Sequence, residues 1–141
     1  MIQAENMTQL QNPDDLTAIR QLYLSNGWIE SEDGETDALI VRIISHTFCF
    51  VVARDNGKII GMGRSLSDGV SDAYIQDVTV FPEYRKQGIG GDIIHLLVEY
   101  MHSQGISWIG LISEPGYDSF YQGQGFKVMP GYTPFLYAGR H

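Results

Sequence analysis

The chain has 141 residues, 43% apolar and 18% charged, with 16 glycines, which sets the expectation of one globular domain over residues 1–141 and excludes a disordered or fibrous chain. Nine Lys plus Arg stand against 17 Asp plus Glu, a net charge of −8 that repels a phosphate backbone and argues against nucleic-acid binding. The lone Cys49 excludes an internal disulfide framework, no apolar run nears the roughly 20 residues that span a bilayer, and the opening MIQAENMTQL lacks signal-peptide features, so the expectation is a cytoplasmic protein without a membrane partner.

The first residues are compatible with a short strand. Asn12-Pro13-Asp14-Asp15 then marks a helix start: a cap, a proline in the first turn, and acids at the positive end of the dipole. Leu16, Ile19, Leu22 and Tyr23 form its apolar stripe, and Asn26-Gly27 ends it. Glu30, Glu32, Asp33, Glu35 and Asp37 follow within eight residues, either a solvated loop or a mouth that attracts a cationic substrate. A second helix is expected from Asp37 to Ser45. Next come strands over Thr47–Arg54 and Ile59–Leu66, joined by Asn56-Gly57, a strong hairpin signal because both residues tolerate positive φ. A third strand of the meander runs from Ala73 to Phe81, where Pro82 stops it. A helix is expected from Ile89 to about Ser103, a strand over Trp108–Ile112, a short helix over Tyr117–Gln122, and a closing β pair over Phe126–Met129 and Pro134–Tyr137. The order α-α-β-β-β-α-β-α-β-β is an α+β, three-layer arrangement rather than a run of βαβ units.

The chemistry is concentrated between Gln76 and Gly91: a strand, a tight loop with Gly88, Gly90 and Gly91, then a helix. A helix N-terminus leaves amide N–H groups unpaired and carries partial positive charge, and glycine lets an anion approach the backbone closely. Arg85 and Lys86 add positive charge in an acidic chain, so the segment predicts a bound pyrophosphate. It is no nucleoside-triphosphate loop, because Gly90-Gly91-Asp92 stands where Gly-Lys-Ser/Thr is required. Ile93 occupies the position of the third glycine of a dinucleotide fingerprint, which excludes that motif too. His95 and His102 lie seven residues apart on a helix with no carboxylate ligand pattern, so no metal site is expected.

Val80…Arg85-x-x-Gly88-x-Gly90, after an apolar strand and before an amphipathic helix, resembles the acyl-CoA signature of the GNAT superfamily of N-acyltransferases. Asp118-Ser119-Phe120-Tyr121-Gln122-Gly123-Gln124-Gly125-Phe126 resembles the family's second marker, an aromatic-Tyr pair with Gly-Phe four residues on. The stretch Gly61-Met62-Gly63-Arg64-Ser65-Leu66-Ser67-Asp68, with Ala73, Ile75 and Asp77-Val78, is similar to the branch that includes aralkylamine acetyltransferases.

The resemblance implies one GNAT domain, an α/β/α sandwich whose mixed, mostly antiparallel sheet splays at the acyl-CoA site. Its co-substrate would be acetyl-CoA, with no metal. Backbone groups of Val78, Thr79 and Val80 would pair with the pantetheine arm. Arg85, Lys86, Gln87, Gly88, Ile89, Gly90 and Gly91 would hold the pyrophosphate. A small cationic or aralkyl primary amine would attack the acetyl carbonyl directly, with an oxyanion stabilised by a strand N–H. Tyr121 matches the general acid that protonates the departing thiolate, a task that suits a phenol with a pKa of about 10. Asp77 matches an acidic position of some small-substrate members and is the first candidate base, Glu114 the second. Tyr74 stands where other members have a glutamate, and Tyr117 where a small residue is usual. Arg64 either orients an anionic group of the acceptor or sits in a structural ion pair. A protein lysine or N-terminal acceptor, and a non-catalytic acyl-CoA sensor, are the competing readings. The resemblance further implies a homodimer built on the late strands, with Phe135-Leu136-Tyr137 needing cover.

Overall fold

A computed structural model describes residues 1–139. Its elements are β1 (Ile2–Asn6), α1 (Pro13–Ser25), α2 (Gly34–His46), β2 (Cys49–Asp55), β3 (Lys58–Ser67), β4 (Asp72–Val80), α3 (Ile89–Ser103), β5 (Trp108–Gly110) and α4 (Asp118–Gly123), with one turn of 3-10 helix at Pro82–Tyr84. The chain divides into two compact units, Met1–Leu111 and a smaller one from Ile112 onward.

In the first unit the five strands lie in the order β1-β2-β3-β4-β5; the first three pairings are antiparallel and β4–β5 is parallel. Strand side chains alternate between faces. On one face Phe50, Val52, Ile59 and Met62 form a core with Ile19, Leu22 and Tyr23 of α1 and with Ile40 and Ile44 of α2. On the other lies α3, which buries Ile89, Ile93, Ile94, Leu97 and Met101 along one stripe. Gly61 and Gly63 of β3 let α3 approach: a Cβ on Gly63 would stand 2.7 Å from Ile93 Cγ2 and 3.2 Å from Val78 Cγ2. Helix–sheet–helix layering and a mixed, mostly antiparallel sheet are the expected α+β architecture.

The helix starts follow from their caps. Asn12 Oδ1 accepts from the Asp15 N–H at 3.1 Å, and Asp33 Oδ1 from the Thr36 N–H at 2.9 Å. Asp33 therefore starts α2 three residues before the expected point. Thr47 does not open β2; its hydroxyl donates back to Ile43 O at 2.5 Å and closes α2 instead.

The expected last β pair is absent: neither Phe126–Met129 nor Pro134–Tyr137 forms a strand. Pro130 and Pro134 remove two backbone donors, Gly131 adopts φ 80°, and the adjacent apolar residues at 135–137 lack the two-residue alternation of a half-buried strand. Phe135 and Leu136 are 92% and 94% exposed. No helix is long and apolar enough to cross a membrane among the described residues.

Candidate active site

The site begins with a fault in the sheet. Met62 faces Thr79 and Arg64 faces Gln76, so Gly63 alone opposes two residues, Asp77 and Val78. This is a β-bulge, and Asp77 absorbs it at φ 57°, a left-handed conformation that Asp tolerates better than most residues. On its other edge β4 pairs with β5 only over Asp72–Tyr74, and the two strands then part. The Phe81 N–H donates to Ile60 O at 2.9 Å, which makes Gly61–Val80 a pair whose own backbone groups point away from each other. Val80, and by the two-residue period Val78, therefore turn N–H and C=O to that open edge. An extended, amide-bearing arm can pair there as an added strand.

Beyond Val80 the chain makes a tight loop into α3. Tyr84 Oη donates to Asp55 Oδ2 at 2.9 Å, tying the loop to β2, and Arg85 Nε donates to Val80 O at 3.0 Å. Lys86 (φ 65°) and Gly88 (φ 81°) are left-handed. Gly88 is the N-cap of α3 and offers no capping side chain, in contrast to Asn12 and Asp33. Asp92 N–H finds Gly88 O at 3.1 Å, whereas the amides of Ile89, Gly90 and Gly91 precede the helical bonding pattern. An uncapped helix start beside two exposed cations fits a pyrophosphate.

Asp77 is not a lone carboxylate. Its Oδ2 accepts from Tyr23 Oη at 2.8 Å and from Arg64 Nε at 2.6 Å, while Oδ1 takes neither contact. Arg64 is thus the partner in a structural ion pair. Burial, and then the adjacent Asp77 charge, push the Tyr23 hydroxyl far above the usual tyrosine range, so it stays a donor. Three of the five clustered acids also have structural work: Asp33 caps α2, Asp37 pairs with Arg20 at 2.8 Å, and Glu32 accepts from Gln21 Nε2 at 2.7 Å.

The second unit builds its own constellation. Gly125, at φ 97°, turns the chain after α4, so that the Phe126 N–H donates to Tyr121 O at 3.1 Å and the Phe126 ring meets Tyr121 edge-on, centroids 6.0 Å apart. The Phe120 ring also meets Tyr121 edge-on, centroids 5.0 Å apart. Burial, then the charge of Glu114 and the neighbouring Tyr117, raise the Tyr121 hydroxyl above the ordinary tyrosine value.

The model of the acetyltransferase (GNAT) family matches residues 13–126, taking in the bulged strand, the uncapped helix start and the Tyr121 turn. The chain belongs to this family. A relative described as the uncharacterized N-acetyltransferase ycf52 of Pyropia yezoensis is 31% identical over 116 residues, covering 82% of this chain and 66% of that one. The chain spans about two thirds or less of the length of the curated relatives it matches. Among solved structures, the GNAT-family protein SP0256 of Streptococcus pneumoniae superposes over all of both chains with TM-score 0.81 at 23% identity. A Clostridium acetobutylicum protein, described as a predicted acetyltransferase with acetyl-CoA, superposes with TM-score 0.68 at 17% identity over 96% of each chain. These two show the shared fold.

Within this GNAT domain, Asp77, Val78, Thr79 and Val80 share one strand, Arg85 to Gly88 lie in the loop that follows it, and Ile89 to Gly91 form the first turn of α3; Tyr121 stands in the second unit. Sequence reasoning took Tyr23 for a core residue and Asn26 for a helix terminator. Both reach β4: Asn26 Nδ2 donates to Thr79 Oγ1 at 2.9 Å. Their partners lie 53 and 54 positions away in the chain, a separation that no local pattern encodes.

Proposed function

We propose that this GNAT domain transfers the acetyl group of acetyl-CoA to a primary amine. The observation that carries the reading is the continuous strand–loop–helix: an open β4 edge for the pantetheine arm leads directly into the uncapped α3 start for the pyrophosphate. The amine nitrogen attacks the acetyl carbonyl carbon, and the Val78 N–H supports the oxyanion. As the C–N bond forms and the C–S bond breaks, the thiolate takes a proton from Tyr121, whose raised pKa keeps it protonated near neutral pH. A cationic acceptor first gives one proton to solvent to expose the nitrogen lone pair; the proton shed as the C–N bond forms leaves to Asp77 through Oδ1, directly or by way of water, and Tyr121 regains its proton from solvent.

For the acceptor we infer a small cationic or aralkyl amine. Tyr74, at the last paired position of β4, and Trp108, at the first of β5, are 48% and 41% exposed, with ring centroids 5.3 Å apart. Gly110 supports this pair: a Cβ there would lie 2.7 Å from the Trp108 ring. Aromatic faces of this kind bind ammonium groups and aryl rings alike. A second copy of the chain covering the exposed Phe135, Leu136 and Tyr137 is the partner assembly we infer, and sedimentation tests it.

The first experiment is thermal unfolding with acetyl-CoA, NADH or ATP. Ligand at 100 times its Kd stabilises by about 2.7 kcal/mol, so a shift with acetyl-CoA alone is expected. Amine-dependent release of free CoA thiol then follows across a panel of aryl, alkyl and polycationic amines. Stabilisation without any amine-dependent release would leave a non-catalytic acyl-CoA sensor, and transfer only to lysine peptides would make the acceptor a protein. No shift at millimolar acetyl-CoA would overturn the reading.

A further inference from the structure

The bulge on β4 is gripped from outside the sheet, at both of its flanks, by one turn of α1. Tyr23 is 3% exposed, and its ring is held edge-on by Trp28 with centroids 6.0 Å apart. The Trp28 N–H returns to Tyr23 O at 3.0 Å, so the hydroxyl reaches Asp77 from a braced position. Three residues on, Asn26 Nδ2 donates both to Leu22 O at 2.7 Å and to Thr79 Oγ1 at 2.9 Å. Asp77 and Thr79 are the immediate neighbours of Val78 in the chain. Arg64 secures Asp77 from β3 and also reaches Gln76 Oε1 at 3.3 Å and Thr47 Oγ1 at 3.4 Å.

We propose that the last turn of α1 is a clamp, in which Tyr23 acting through Asp77 and Asn26 acting through Thr79 fix the direction of the Val78 N–H. Three facts lead to it. A left-handed Asp77 is a conformation a strand leaves readily unless its surroundings fix it. The bulge interrupts the β3–β4 register at the residue whose N–H faces the open edge. Two side chains of a single helical turn tie down the interrupted stretch, one on each side of Val78. The proposal rests on the acetyl-transfer reading for its catalytic consequence, because a donor aimed at a developing oxyanion loses its effect when it swings. Tyr23 and Asn26 are positioning residues in this scheme: Asn26 meets only Thr79 on β4, and Tyr23 meets only Oδ2 of Asp77, not the Oδ1 that takes the amine's proton.

The test uses Tyr23→Phe, which keeps the ring and removes only the hydroxyl, Asn26→Ala, and the double variant. Each is assayed at least ten degrees below its own unfolding midpoint. Misplaced catalytic geometry costs up to about 100-fold, so kcat is expected to fall about tenfold or more in Tyr23→Phe. The Kd for CoA should stay within about twofold, because the pyrophosphate cradle is untouched. The double variant should lose less than the product of the single losses, since both act on one peptide group. A kcat within about twofold of wild type in both single variants overturns the clamp, as does loss of CoA affinity in step with kcat. Where Tyr23→Phe does not fold, Asn26→Ala and Thr79→Val carry the same comparison. Should the wild type bind CoA and transfer nothing, the acetyl-transfer reading fails by itself. The clamp is then read from amide exchange: the Thr79 N–H, in the Met62–Thr79 pair beside the bulge, should exchange about tenfold faster in Tyr23→Phe while the α3 amides keep their wild-type rates. Equal Thr79 exchange in variant and wild type refutes it.

Discussion

Tyr121 shows what a single side chain can be asked to do. A phenol donates a proton only while it holds one, and burial together with Glu114 and Tyr117 raises this one above its ordinary value of about 10. The sign follows: a raised pKa extends the protonated form to higher pH, so an alkaline loss of activity caused by Tyr121 falls above about pH 10 rather than below it. Tyr121→Phe keeps the edge-on contacts with Phe120 and Phe126 and removes the proton. Its kcat is expected to fall about 100-fold or more, with CoA affinity unchanged and the alkaline limb gone. A variant with wild-type kcat and the same pH profile would reduce Tyr121 to packing. The surroundings of Tyr121 were legible in the sequence because they are local: Gly125 and Phe126, four and five positions on, build the turn that seats it. Tyr23 and Asn26 were not legible, because helical spacing accounts for a tyrosine on an apolar stripe and for an asparagine at a helix end.

Elements were legible where their signals are local and chemically distinct. Asn12-Pro13, Asn56-Gly57 and Pro82 each fixed a boundary, because a cap, a left-handed turn and a missing N–H act over a few residues. The Phe126–Tyr137 segment failed for the opposite reason: apolar residues make a strand only when a partner edge meets them, and two prolines work against one. The start of α3 turns this logic into a prediction. Gly90→Asp replaces a poor helix former and adds an acid in the first turn, where the dipole favours negative charge by about 0.3–1 kcal/mol. The fold should therefore be as stable as wild type or slightly more so. The same carboxylate would confront the pyrophosphate, and CoA affinity should drop by at least about tenfold. Calorimetric titration and thermal unfolding on one sample separate the two effects. Wild-type affinity in a folded variant would remove the phosphate from this helix.

At the scale of the whole Met1–Leu111 unit, the helix that grips β4 must itself be held on the sheet. Arg54 of β2 does this: its Nη1 and Nη2 donate to the two oxygens of Asp15 on α1 at 2.7 and 3.0 Å, its Nε to Glu5 of β1 at 2.5 Å, and Nη1 also to Gly57 O at 3.0 Å. The Arg54–Asp15 contact is the two-pronged geometry that makes arginine–carboxylate pairs strong. Asp15 is 1% exposed, and burial by itself would raise its pKa. The Arg54 hydrogen bond and charge, with the Gln11 and Asn12 amides, outweigh burial and hold the carboxyl below its ordinary value. The unfolded chain therefore takes up that proton first as the pH falls. The stabilisation is complete above about pH 4 and disappears as the pH drops through the lowered folded value. Asp15→Asn leaves the Arg54 charge with Glu5 alone, and removing one partner of a buried pair costs about 3–5 kcal/mol. Urea unfolding at pH 7 should register that loss, and the gap between variant and wild type should narrow steadily below about pH 4 as the wild-type carboxyl protonates. A gap that is the same at pH 7 and pH 3 would mean that Asp15 contributes by shape and not by charge. The clamp on the bulge would then depend on packing of the Ile19–Leu22 stripe alone.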